Sequence, residues 1–154
     1  MMRKSSETNR VLFVCTGNTC RSPMAEGIFN KLAAEQGVPA RASSAGLYAM
    51  GEPASAHAIE VMRRYGIDLS AHRARPVTRA LLGESDAVIC MTRAHADALV
   101  AQFPDAAPRV TTLLSFDVAD PFGGGLREYE EAARQIEAGV RALLRGETER
   151  GRER

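Results

Sequence analysis

The sequence predicts an α/β fold, a three-layer αβα domain built around a four-stranded parallel sheet. Three observations carry this. Short continuous apolar runs alternate with longer amphipathic stretches, the pattern of strands covered on both faces by crossover helices. Gly or Pro stands at the boundaries between them. The chain has 154 residues, enough to bury roughly 70% of the surface its unfolded form exposes, which suits one domain over residues 10–146.

Val11–Cys15 (VLFVC) is the first strand, an uninterrupted apolar run. In the first helix, Pro23–Gln36, Met24, Ile28 and Leu32 recur at helical spacing while Lys31 and Glu35 take another face. Ser22 is its expected N-cap, Pro23 its first helical residue and Gly37 its C-cap. Ala40–Ala45 is a weaker second strand, followed by helices over Ala54–Tyr65, ended by Gly66, and Arg79–Leu82. Ala87–Met91 (AVICM) is the third strand, Ala94–Phe103 a helix ended by Pro104, and Arg109–Leu114 (RVTTLL) the fourth strand. Leu126–Arg145 is the last helix, ended by Gly146. Residues 1–9 and 147–154 are expected to be flexible tails, because a run such as GETERGRER has no apolar group to offset its ordering. In parallel sheets the ligand sits beyond the carboxyl ends of the strands. The chemistry is therefore expected just after residues 15, 45, 91 and 114.

With 45% hydrophobic and 25% charged residues, the composition excludes a disordered or fibrous protein. No apolar run approaches the roughly 20 residues of a membrane-spanning helix. A formal net charge of +1 provides no global field for nucleic acid or an anionic membrane, so any anion must be bound locally. Three cysteines, an odd number, argue against a secreted disulfide framework. Met1–Arg10 lacks the apolar core of a secretory signal. A cytoplasmic monomer is expected. His57 and His95 show no ligand spacing with the cysteines or each other, so no metal and no other cofactor is expected.

The stretch Cys15-Thr16-Gly17-Asn18-Thr19-Cys20-Arg21-Ser22-Pro23 joins the best strand to the best helix. Helix N-termini and nests of backbone N–H groups bind phosphate, since unpaired donors and the positive end of the helix dipole point at the anion. Gly17 allows the loop backbone conformations barred to other residues. Arg21 offers a planar fork matching two phosphate oxygens, and Cys15 lies in the same positive field, which lowers a thiol's pKa toward a reactive thiolate. Read alone, C-x5-R is also what a buried structural Cys, a loop-stabilising Arg and a capped helix leave behind. The strand before it and the helix after it favour a nucleophile aimed at phosphorus.

VLFVCTGNTCRSPMAEGIF resembles the catalytic loop and first helix of the low-molecular-weight protein tyrosine phosphatase family, whose pattern is C-x-G-N-x-C-R-S-P. Ser44-Ala45-Gly46, Gly66-Ile67 with His72-Arg73-Ala74-Arg75, and Asp120-Pro121-Phe122-Gly123 match further landmarks in order, so the resemblance covers residues 10–145. It implies two-step, metal-free hydrolysis of a phosphorylated protein through a phosphoenzyme. By resemblance, Cys15 attacks phosphorus, Arg21 holds the equatorial oxygens, Ser22 hydrogen-bonds the Cys15 sulfur and Asn18 braces the loop. Thr16, Gly17, Thr19 and Cys20 complete the substrate cradle. Asp120 is the implied general acid and later base, with Asp117 as the competitor; a carboxylic acid on a Gly-rich loop is a sensible proton donor. His72 is either a brace beneath the loop, as its family counterpart is, or a satisfied surface or core histidine.

Two positions bear on the substrate. Thr19 stands where tyrosine-directed members usually have a bulky aliphatic, and the acid loop reads Asp-Pro-Phe-Gly-Gly rather than Asp-Pro-Tyr. Both departures resemble the bacterial protein arginine phosphatase branch, and phosphoarginine, with its polar guanidino leaving group, is the favoured substrate over phosphotyrosine. A neutral change on the loop wall is the competing reading of Thr19. Tyr48 and Phe122 form an aromatic rim able to stack on a phenyl ring or a guanidinium, with core packing the alternative for Tyr48. Cys20 is positioned for a reversible disulfide with Cys15 or for loop packing. Thioredoxin-coupled arsenate reductases share this fold but use two further cysteines, and here only Cys90 remains, in a core strand. A noncatalytic phosphoprotein-binding module is disfavoured because Cys15 and Asp120 are both present.

Overall fold

The computed structural model describes the backbone of residues 9–152 and the side chains of residues 9–146. The chain runs β1 (Asn9–Cys15), α1 (Arg21–Gln36), β2 (Ala40–Gly46), α2 (Ala56–Arg64), α3 (Arg79–Glu84), β3 (Ala87–Cys90), α4 (Arg93–Gln102), β4 (Val110–Thr112) and α5 (Leu126–Arg152). The four strands pair in parallel, in the order β2-β1-β3-β4. This is the three-layer parallel architecture expected.

Alternation along β1 explains the layers. Val11, Phe13 and Cys15 face the side covered by α1, α2 and α5, together with Met24, Ile28, Phe29, Met62, Ile136 and Val140. Leu12 and Val14 face the other side, with Leu82, Val88, Cys90 and Leu99 from α3, β3 and α4. Each such buried apolar side chain contributes about 1.5–3 kcal/mol relative to exposure. Because the sheet order reverses at β1, its carboxyl end opens into the crevice where the helices of the two faces part.

Several boundaries differ from expectation, each for a local reason. Asn9, assigned to the flexible tail, pairs with Ala40 and donates its backbone N–H to the Pro39 carbonyl at 2.9 Å. Helix α1 starts two residues before Pro23, with Cys20 at the N-cap and no side-chain cap, so Ser22 and Pro23 lie inside the first turn. Gly37 does adopt the left-handed C-cap conformation, φ 66°. Strand β4 is shorter than expected, Val110–Thr112: Arg109 belongs to a 3-10 turn over Pro104–Arg109, and the chain bends away from the sheet at Leu113. Helix α5 continues through Gly146 to Arg152; a glycine costs about 1 kcal/mol inside a helix but does not forbid one. Of the expected tails, residues 1–8 and 153–154 lie outside the described residues.

Candidate active site

The loop between β1 and α1 closes around a cavity of about 260 Å³ lined by Cys15, Thr16, Gly17, Thr19, Cys20, Arg21, Glu52, Asp120 and Phe122. Cys15 ends β1 at its base. Its sulfur lies 2.8 Å from the Ser22 hydroxyl, which in turn accepts from Nδ2 of Asn18 at 2.7 Å. The hydroxyl expected to cap the helix thus serves the thiol instead.

Asn18 organises the loop. It takes the left-handed φ of 58° that Gly17 was expected to supply, a conformation Asn tolerates better than most residues. Its Oδ1 accepts from the Arg75 backbone N–H at 3.0 Å, and its carbonyl oxygen lies 2.7 Å from Nε2 of His72. His72 is therefore the brace beneath the loop. From β2, Gly46 presses against the same segment: a Cβ there would stand 2.7 Å from the Thr16 carbonyl oxygen and 2.9 Å from the Asn18 nitrogen. Gly46→Ala is expected to cost about 1–3 kcal/mol through overpacking and to lower kcat/KM on para-nitrophenyl phosphate on the order of tenfold or more by displacing the loop. Wild-type melting and turnover in that variant would show that the contact has room to relax.

The thiol's electrostatics run against expectation. Burial pushes the Cys15 thiol above its ordinary value, while the Ser22 hydroxyl, the backbone N–H groups of Ser22 and Asn18, and the Arg21 charge pull it down. Those four groups stabilise the thiolate once it forms. Cys20 bridges to the helices beyond, its sulfur 3.3 Å from the Tyr129 hydroxyl and 3.5 Å from that of Ser55. Cys15, Cys20 and Cys90 are all free. Cys90 is fully buried, with its thiol pushed up to about 12 by desolvation.

Arg21 is buried, and its guanidinium is held in place by donating to the Val118 carbonyl at 3.0 Å. Its other terminal nitrogen lies 3.5 Å from the carboxylate of Asp120, whose side chain is 57% exposed. Asp117 faces elsewhere, accepting from the Arg93 backbone N–H at 2.9 Å. Phe122 lines the cavity, whereas the Tyr48 ring, 74% exposed, does not. That exposure excludes core packing for Tyr48, whose backbone N–H instead anchors the Thr16 carbonyl at 2.9 Å. Glu52, Ser55 and Tyr129 join the site without having been expected there, whereas Gly46 belongs to the Ser44-Ala45-Gly46 landmark at the end of β2. Of the three, Ser55 carries a readable signal, as the N-cap of α2. Among the described residues no cluster of His, Cys, Asp or Glu could hold a metal ion.

Phosphoryl transfer to sulfur draws on a buried thiol, a guanidinium for the oxygens and a carboxyl for the proton, and this places the chain among the cysteine-dependent protein phosphatases. It belongs to the low molecular weight phosphotyrosine protein phosphatase family, whose profile matches residues 10–153. The protein-arginine-phosphatase of Bacillus subtilis (strain 168) is 37% identical over 142 residues, spanning 88% of this chain and 94% of the relative. A low molecular weight protein tyrosine phosphatase from T. tengcongensis superposes with a TM-score of 0.87 at 43% identity, over 90% of this chain and 99% of that one. A mutant of the YwlE arginine phosphatase with a phosphorylated active site serine superposes with a TM-score of 0.86 at 35% identity, over 89% of this chain and 94% of that one.

Proposed function

We propose that the protein hydrolyses phosphoarginine in protein substrates, with Thr19 as the residue that favours a guanidino leaving group. Thr19 lines the cavity, with its carbonyl held by the Ser55 N–H at 3.0 Å. The fixed backbone keeps a hydroxyl on the wall, where an aliphatic side chain offers only hydrocarbon. The B. subtilis relative is a protein-arginine-phosphatase, which supports the same reading. Phosphotyrosine is the second reading, supported by the 43% identity to the T. tengcongensis low molecular weight protein tyrosine phosphatase.

In the first step the bound phosphate takes Arg21 from Asp120, the Cys15 thiol gives up its proton, by way of the bound phosphate, to the freed Asp120 carboxylate, and the resulting thiolate attacks phosphorus in line with the P–N bond. That bond breaks as S–P forms, and the departing guanidino nitrogen takes a proton from the Asp120 carboxyl. In the second step water attacks phosphorus, Asp120 takes its proton, and phosphate leaves with restoration of the thiolate. Asn18 and Ser22 hold the sulfur in place, while Thr16, Gly17 and Cys20 form the wall. We place the enzyme in the bacterial cytoplasm as a monomer: its three cysteines are free, and the cradle is complete within one chain. No helix among the described residues is long and apolar enough to cross a membrane.

Thr19→Ile tests the substrate. The ratio of kcat/KM on phosphoarginine to that on phosphotyrosine peptides is expected to fall on the order of tenfold or more. An unchanged ratio would leave Thr19 without a part in selection, and a wild-type ratio below one would favour phosphotyrosine.

A further inference from the structure

His95 lies on the third residue of α4, across the sheet from the helix that holds Arg21, and is buried. Its place is fixed twice, by the helix and by its backbone N–H, which donates to the capping Thr92 hydroxyl at 3.0 Å. One ring nitrogen, Nε2, lies 2.8 Å from Oγ1 of Thr16, the residue directly after the nucleophile. The other, Nδ1, is buried and has no hydrogen-bond partner among the described residues. A ring serving only to fill space would be better replaced by an apolar side chain, since its polar edge is desolvated at a cost and only half used.

The unpartnered nitrogen decides the tautomer. A buried bare lone pair is tolerated better than a buried orphan N–H, so the proton resides on Nε2 and the Thr16 hydroxyl oxygen accepts it. The hydroxyl's own hydrogen is then free to turn. Thr16 is exposed and lines the cradle, so that hydrogen can turn toward an oxygen of an anion bound there.

We propose that His95 is a positioning residue for the phosphate cradle: its Nε2–H holds the Thr16 hydroxyl oxygen so that the hydroxyl donates to a bound phosphate oxygen. A second proton on the ring would have to sit on the orphan Nδ1. Desolvation and the Arg21 charge oppose it, against the weaker pull of Asp120 and Asp117, and the ring is held down to about 4. The imidazole therefore stays neutral across the working range and acts as a fixed donor, never as a proton carrier. The proposal rests on the Cys15 loop being the phosphate cradle; were that reading wrong, the wild-type protein would not hydrolyse para-nitrophenyl phosphate at all, a result separate from any effect at His95.

Two amide substitutions separate the donor from the ring. His95→Gln places an N–H near the Nε2 position, whereas the shorter His95→Asn does not reach Thr16. His95→Gln is expected to remain within about threefold of wild type in KM and in competitive inhibition by inorganic phosphate. His95→Asn is expected to weaken both on the order of tenfold, the loss of one hydrogen bond to a charged group, with kcat changed less. Thr16→Val is expected to reproduce that loss, and the His95→Asn/Thr16→Val double variant to lose no more than either alone. Equal losses in the Gln and Asn variants, or multiplying losses in the double variant, would overturn the proposal. If thermal melting shows that His95→Asn does not fold, Thr16→Val decides alone: unaltered phosphate inhibition overturns the proposal and a tenfold loss supports it.

Discussion

Cys15→Ser is expected to reduce hydrolysis of para-nitrophenyl phosphate to background, a loss on the order of 10⁴-fold or more, while inorganic phosphate still binds. The reason is nucleophilicity. A hydroxyl needs a base to become an attacking group, and the neighbours of this sulfur are the Ser22 hydroxyl and the Asn18 and Ser22 backbone N–H groups, all of which stabilise an anion without removing a proton. A serine oxygen there remains protonated and unreactive. The geometry of the cradle, by contrast, depends on the contacts of Asn18 with Ser22 and His72 and on the close approach of Gly46, which do not involve the Cys15 side chain. The experiment also separates the enzyme from a module that merely holds phosphoproteins. Equal inertness of wild type and variant across about pH 5 to 8 would contradict catalysis through Cys15. A variant retaining activity would shift the nucleophile to Cys20, the other cysteine on the cavity wall.

The sheet, its crossover helices and the position of the loop were legible because they depend on periodicity. VLFVC reads as a strand covered on both faces, and β1 feeds both cores. What escaped was set by tertiary contacts. Ser22 carries a good N-cap side chain, but the demand of the Cys15 sulfur outweighs the local preference, and the helix begins at Arg21 with no cap. Gly17 was the obvious residue for an unusual backbone angle, yet Asn18 takes it, because only a side chain with both a donor and an acceptor can join Ser22 to Arg75 across that turn. The positive field lies at the loop where the sequence places it, but desolvation, invisible until burial is known, outweighs it at the thiol. Glu52 and His95 carry no periodic or motif signal. They reach the site only because β2 and β3 both end beside β1, which brings the loop and helix after them to the same crevice.

Asp120→Asn is expected to produce a loss that depends on the leaving group, and this dependence distinguishes a proton donor from a residue that only shapes the mouth. An amide cannot supply the proton that a guanidino nitrogen or tyrosyl oxygen needs on departure, so kcat on phosphoarginine and phosphotyrosine peptides should fall by about 10²–10⁴. Para-nitrophenolate departs without a proton, so the first step on that substrate should survive. The second step still lacks its base, and the variant should release about one equivalent of nitrophenol in a burst before a slow steady rate, with phosphate held on Cys15. Asp117→Asn is the matched control. Asp117 accepts from the first residue of α4 rather than facing Arg21, and its amide variant should remain within a few-fold of wild type on every substrate. The Asp120 contact with Arg21 at 3.5 Å adds a further expectation: removing its charge frees the guanidinium, so inorganic phosphate should bind at least as tightly as in wild type. Uniform losses across leaving groups, no burst and weakened phosphate binding would together show that Asp120 holds the loop without moving a proton. A burst in the Asp117 variant instead would transfer the acid to that residue.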